Sequence, residues 1–306
     1  MIQDAWRISA DEARAQMKAN LLGRKVAVRN ARVPQRFGQV AEGMWQGYHA
    51  AIADEEPEAL VARLNAIESE LFGFALEGVG MGLAELDALK PKKQNRVQAF
   101  LEGARTAYQT MVYLGVGLML VRRELPIEPY LTQLNPIRSW PIIDGYGFNH
   151  GIYRWREYID GQAIPKQLVG YACRVFDQGL GRSIWLLDGT DVTRISVTVG
   201  GFSSIRQADI WGGVGYACSS ICGAERATIE ALGTAAGSYL SELAKGAACA
   251  AKFRKLLGNP AGYTEFVHEV LCEMAGDTKT KVRDIPNNEA EPNQQVWQHY
   301  REVLLT

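Results

Sequence analysis

The stretch IIDGYGFNHGIYRWREY, Ile142 to Tyr158, is the densest set of groups in the chain that could do chemistry. Asp144, Tyr146, His150, Tyr153, Arg154 and Trp155 fall within 12 residues. Histidine is the side chain that most readily moves a proton near neutral pH. Asp144 and His150 stand six apart, nearly two helical turns, so they are not direct partners on one straight helix. Arg154, four beyond His150, shares its face. The next such stretch, RVFDQGLGRSIWLLDGTD, carries Asp177 and Arg182 five apart, so each looks to a neighbouring element rather than to the other. Asp144, His150, Asp177 and Arg182 are the candidate catalytic residues, and their chemistry is proton transfer. The competing reading of His150 is a side chain hydrogen-bonded between structural units. No nucleophile elbow, P-loop, HExxH or EF-hand pattern occurs. Five cysteines and four scattered histidines give no ligand set with zinc-site spacing, so no metal is expected. Cys173, Cys218, Cys222, Cys249 and Cys272 read as free thiols.

These residues sit on a repeat. YLGVGLMLVRREL, Tyr113 to Leu125, resembles on its own a glycine-rich phosphate loop. Related segments recur, AEGMWQGYH, LEGVGMGLAEL, IDGYGFNHGIY, DQGLGRSIWLLDG, WGGVGYACSSICG and AKGAACAAKFRKL. Aligned on a first glycine, they anchor at Gly43, Gly78, Gly115, Gly145, Gly179, Gly213 and Gly246. The interval of roughly 34 residues is that of two-helix repeats. Apolar residues between the anchors recur three and four apart, as in Leu60, Leu64 and Ile67. Pro91, Pro126 and the Gly258-Asn259-Pro260 run mark helix ends. A phosphate loop needs a strand before its glycines, whereas here helices flank them on both sides. A helical glycine costs roughly 0.5–1 kcal/mol relative to alanine, so paired glycines in copy after copy imply close helix contact. The expected fold is all-α: about seven helix pairs of roughly 34 residues, forming an α-solenoid or an α/α toroid. Residues 1–32 read as an N-terminal cap, 33–275 as the repeat domain, and 276–306 as a polar tail with a short last helix.

The residue before each anchor is Glu42, Glu77, Leu114, Asp144, Gln178, Gly212 or Lys245. Polar residues in the middle of apolar helices form a row that would line a concave face or cavity; the alternative is a set of solvated or ion-paired positions. Glu42 and Glu77 from this row are candidate substrate-binding residues. So are His49, Tyr146, Tyr153, Trp155 and Trp211, ionisable or aromatic groups on or beside the glycine helices that suit a hydrophobic ligand.

The runs DGYGFNHGIYRW, FDQGLGRSIWLLDG, RQADIWGGVGYACSSICG, LAKGAACAAKF and GNPAGYTEFVHEVLC resemble a bacterial family of unknown function. Its members are often labelled enediyne biosynthesis proteins, because many lie in polyketide gene clusters. The resemblance runs in unbroken order from about Arg36 to Cys272. Two positions depart from it: Asn149, where an acid is expected, and Cys222, in a stretch usually small and apolar. The resemblance implies a cytoplasmic accessory protein of specialised metabolism handling a polyketide or another hydrophobic intermediate. It carries over no reaction and no catalytic residue.

Composition narrows the classes. Among 306 residues, 47% are hydrophobic and 22% charged, enough apolar material for a core. With 33 Lys and Arg against 34 Asp and Glu, the net charge is −1 and no basic block points to nucleic acid. The longest apolar run, Met111 to Val121, is too short to span a bilayer, and the N-terminus lacks a secretory apolar core. Two functions stay open. One is a cofactor-independent enzyme that cyclises or isomerises an unsaturated hydrophobic intermediate. The other is a non-catalytic scaffold or carrier for a partner protein or such an intermediate.

Overall fold

The computed structural model describes residues 15, 18–20, 22–25, 32–53, 57–89, 95–103, 106–133, 136–221 and 224–276. The expected C-terminal tail, Cys222 and most of the expected N-terminal cap lie outside them. The glycine segments occupy seven long helices: α1 Arg32–Ala53, α3 Phe72–Leu89, α5 Gln109–Arg122, α7 Pro136–Tyr153, α8 Tyr171–Leu187, α10 Ser204–Ile221 and α12 Leu240–Leu257. Shorter helices lie between and after them: α2 Pro57–Leu64, α4 Arg96–Gly103, α6 Glu128–Gln133, α9 Val192–Gly200, α11 Arg226–Ala236 and α13 Gly262–Met274. After α7 this place is taken by a single π-helical turn, Arg156–Asp160. No strand occurs among the described residues. The fold is therefore an all-α helical repeat.

Local chemistry sets the boundaries. Asp191 caps α9 by accepting from the Arg194 amide at 3.2 Å. The β-branched run RISVTVGGF thus begins a helix rather than a strand. Gly258 ends α12 in the left-handed region, φ 72°, just ahead of Pro260. The two classes of helix differ in pattern. Every residue from Gly73 to Leu86 and from Met111 to Val121 is buried, as in a helix enclosed on all sides. On α9 only Ile195 and Val199, one turn apart, are buried. The short helices form an outer layer in which α2 meets α4, α9 meets α11, and α11 meets α13.

Neighbouring long helices run parallel: Gly78 lies against the Met44 carbonyl and Gly82 against the Tyr48 carbonyl, four residues further along both chains. One register repeats at each interface. The first glycine of a pair sits on the preceding helix: Gly115 on the Glu77 carbonyl, Gly145 on Leu114, Gly179 on Asp144, Gly213 on Gln178 and Gly246 on Gly212. The second sits on the following helix: Gly80 on the Val112 carbonyl, Gly147 on Phe176 and Gly215 on Leu243. A Cβ at any of these positions would collide with backbone, so the glycines serve Cα-to-carbonyl approach. In α1 the frame corrects the sequence alignment. Gly47 takes the second-glycine place against Ala75, and Trp45 stands where the first glycine would be. Gly43 is two residues out of register and packs on Leu71.

The array closes on itself. Arg36 of α1 donates to the Ile221 carbonyl of α10 at 3.1 Å and to the Tyr263 hydroxyl of α13 at 2.6 Å. Arg254 of α12 donates to the Glu70 carbonyl ahead of α3 at 3.0 Å. The described part of the N-terminal segment crosses the ends of α7 and α8. Asn20 donates to the Ile152 carbonyl at 2.7 Å, and Arg24 pairs with the buried Asp188 at 2.8 Å. Among the described residues, Cys173, Cys218, Cys249 and Cys272 form no disulfide with one another. Among the described residues no helix is long and apolar enough to cross a membrane.

Candidate functional site

In this register the residue before the anchor and the residue three beyond it share a face, four apart, and that face points inward. The inward pairs are Met44 and Tyr48, Glu77 and Met81, Leu114 and Leu118, Asp144 and Phe148, Gln178 and Arg182, and Gly212 and Tyr216. Side chains of α1, α3, α5, α7, α8 and α10 surround one central cavity. The cavity measures about 70 Å³. Its walls are mainly apolar, with Met44, Trp45, Phe74, Met81, Leu118 and Phe148 prominent. The polar groups on it are Glu77, Arg122, Asn149, Tyr153 and Arg182.

At the level of the glycine pairs lies a buried charge cluster. Arg182 donates to Asp144, and Gln178 donates to the other Asp144 oxygen at 2.8 Å. The guanidinium lies 5.0 Å from the ring centres of both Phe148 and Tyr216. Glu77 is the second carboxyl around this cation, its Oε1 3.8 Å from Arg182 Nη2. Arg182 is thus engaged first by Asp144, and Glu77 receives only a longer-range share of its charge. Burial pushes the Glu77 carboxyl up to about 7; the Arg182 charge opposes this and the Asp144 charge adds to it. Burial also pushes the Tyr216 phenol far upward. A carboxyl that exchanges its proton near neutrality, on the wall of an apolar cavity, can act as general acid or general base. Glu77 also borders a second, smaller cavity of about 20 Å³, with Tyr216, Ser220, Arg254 and Asn259 around it.

The structure divides the sequence-derived candidates. Asp144, Arg182 and Glu77 come together. Tyr153, partly exposed, joins Glu77 and Arg182 on the cavity wall, with Asp144 behind Arg182. Asp177 faces elsewhere: it is buried and paired with Arg206 of α10 through Nε at 2.9 Å. Burial nudges the Asp177 carboxyl upward while the Arg206 hydrogen bond pulls it down. His150 is buried in an aromatic box, its ring 4.3 Å from Tyr146 and 4.4 Å from Tyr158, with Phe176 at 6.0 Å. Among the described residues neither of its nitrogens finds a hydrogen-bond partner, so the competing reading of a bond between units gains no support. Burial and then the Arg154 charge hold it down at about 3.

Tyr146 belongs to the His150 box, and its hydroxyl accepts from Gln167 at 3.2 Å. Trp155 lies under the guanidinium groups of Arg24, 5.2 Å away, and Arg156, 4.2 Å away. Trp211 is packed in the core. Glu42 and His49 line an open outer groove with Gln46 and Arg63, not the central cavity. The row of polar residues therefore does not run the length of the array. In the true register Met44 replaces Glu42, and Lys245 pairs with Glu242 at 2.9 Å.

Two cavity residues, Arg122 and Asn149, were not among the sequence-derived site candidates. Arg122 lies four beyond Leu118 and eight beyond Leu114, one turn further along the inward face of α5. Asn149 donates to the Leu118 carbonyl at 2.6 Å, a bond that an ionised acid at this position could not make.

The chain belongs to the family described as "Protein of unknown function (DUF1702)", whose sequence profile matches residues 12–305. No curated protein matches the chain, and no solved structure does.

Proposed function

We propose that this member of a family of unknown function binds an unsaturated hydrophobic molecule in its central cavity and moves a proton on it, giving a cyclised or isomerised product. The observation that carries the reading is Glu77: a carboxyl poised near neutral pH, on an apolar wall, beside a cation already neutralised by Asp144. In such a step the Glu77 carboxyl gives its proton to one carbon of the substrate. The resulting carboxylate takes a proton from another carbon, so atoms and charge balance without a redox partner. Arg182 stabilises the carboxylate between the two transfers, and Asp144 positions Arg182. The sequence resemblance to polyketide-cluster proteins supports a polyketide-like intermediate of bacterial specialised metabolism, enediyne pathways included, as substrate and the cytoplasm as location.

The test uses a hydrophobic extract from a producing strain that lacks this protein, incubated in heavy water with the purified chain. Mass spectrometry should find one metabolite converted with deuterium bound to carbon, and Glu77→Gln should abolish the conversion. If wild-type protein produces no deuterated metabolite, the proton-transfer reading fails. A hydrophobic metabolite that copurifies unchanged would put the carrier reading in its place, which the apolar cavity equally supports.

A further inference from the structure

Arg122 ends α5 on the wall of the central cavity, and its surroundings are unusual for a surface arginine. Its guanidinium lies 5.3 Å from the Trp45 ring centre and 6.0 Å from that of Tyr153. Nη1 donates to the Tyr153 hydroxyl at 3.2 Å. Nε is buried and finds no hydrogen-bond partner among the described residues. No carboxylate among the described residues pairs with it. The nearby Glu85 is already engaged by Arg123 and, at 2.8 Å, by the Tyr48 hydroxyl. A cation in the last turn of a helix complements the carbonyl end of its dipole, and that accounts for an arginine there. It does not account for a guanidinium laid beside two aromatic rings on the wall of an apolar cavity with donor capacity unspent.

We infer that Arg122 is the anchor for an anionic head group, so that the ligand is an amphipathic carboxylate with its apolar tail in the cavity. The inference deepens the proposed function and rests on its reading of the cavity as the ligand site. Arg122 lies seven residues beyond Gly115, which sits on the Glu77 carbonyl. At 1.5 Å per residue, head group and Glu77 are separated by about 10 Å along the helix axes. That is the reach of roughly eight zigzag carbon–carbon bonds, so Glu77 meets the tail well away from the carboxylate. Trp45 and Tyr153 flank the anchor and exclude water from the first part of the chain.

Calorimetric titration of the full chain above neutral pH, with decanoate and with decanol, tests this. Decanoate should bind at least about tenfold more tightly than decanol, the worth of one charge-assisted hydrogen bond. Arg122→Gln should abolish the preference and bring the two affinities together, while Arg122→Lys keeps it. Equal binding of acid and alcohol by wild-type protein, no binding of decanoate, or a preference that survives Arg122→Gln would overturn the inference. Glu77→Gln should keep the preference for decanoate over decanol, although it abolishes deuterium transfer. A protein that transfers deuterium yet shows no acid preference loses only the anionic anchor.

Discussion

At the residue scale, the decisive contest is between burial and charge at Glu77. Asp144 has Arg182 at hydrogen-bond distance and Gln178 as a second donor, whereas Glu77 has the same cation only at 3.8 Å. The two carboxyls differ in role because one arginine cannot serve both equally. Glu77 is raised from its ordinary value of 4.5 to about 7, so the folded state holds its proton more tightly than the unfolded chain. Its contribution to stability is complete below pH 4.5 and is lost as pH rises through about 7, a loss of about 3 kcal/mol. Glu77→Gln should remove that slope: urea midpoints of variant and wild type converge in mild acid and diverge above pH 7 in the variant's favour. His150 behaves in the opposite sense. Held at about 3 against an ordinary 6.5, it supports the fold above pH 6.5 and withdraws on the order of 4 kcal/mol as pH falls toward 3. With both nitrogens unpartnered among the described residues, His150→Leu gives up no hydrogen bond there. Acid unfolding of that variant, followed by circular dichroism, should move to lower pH; an unmoved midpoint would show that the ring is hydrated in the folded state. The sequence marked Glu77, Asp144 and Arg182 because charge on an apolar helix face is legible. It could not assign Asp177 to Arg206 or box His150 with Tyr158, because those contacts join different helices.

At the element scale, the glycine seams carry the fold. They were legible because only a missing Cβ lets two helix backbones meet, and that demand recurs once per unit. The register was less legible at the first unit, where Trp45 stands in the first-glycine place and Gly43 offers a false anchor. That slip of two residues is what put Glu42 in the inward row instead of Met44. The physical demand predicts opposite outcomes for one substitution at two sites. A Cβ on Gly115 would overlap the Glu77 carbonyl oxygen, backbone against backbone, so neither partner can swing aside. Gly115→Ala should destabilise by about 3 kcal/mol or more, the upper range for overpacking. Gly200, the last residue of α9, has nothing within 4 Å of its missing Cβ. Gly200→Ala should gain up to about 1 kcal/mol from propensity alone. Thermal denaturation of the two variants checks both signs, and a mild effect at Gly115 would mean the seam can open.

At the scale of the whole molecule, the question the sequence left between open solenoid and closed ring turns on one side chain near the start of the array and two near its end. Arg36 and Arg254 reach the Tyr263 ring, at 4.9 Å and 5.3 Å, and both donate to its hydroxyl, which in turn donates to the Ser220 carbonyl at 3.0 Å. Periodicity could not announce this seam, because it joins units that are not neighbours in the repeat. A repeat array held only by nearest neighbours frays from its ends, whereas a closed one protects both ends together. Tyr263→Phe keeps the ring but removes the shared hydroxyl. Hydrogen bonds to charged donors contribute about 1.5–3 kcal/mol each, so closure should weaken while the central helices keep their packing. Hydrogen–deuterium exchange read by mass spectrometry should therefore speed up together in the first turns of α1 and in α12 and α13. Peptides from α5, α7 and α8 should exchange as before. A uniform rise across all helices, or none at the two ends, would show that the hydroxyl does not hold the ring shut. Closure also governs the cavity: Phe37 and Ile221, from α1 and α10, complete its wall only while the seam is made. Any ligand that the cavity holds should restore slow exchange at the ends of the Tyr263→Phe variant, because binding draws on the closed state.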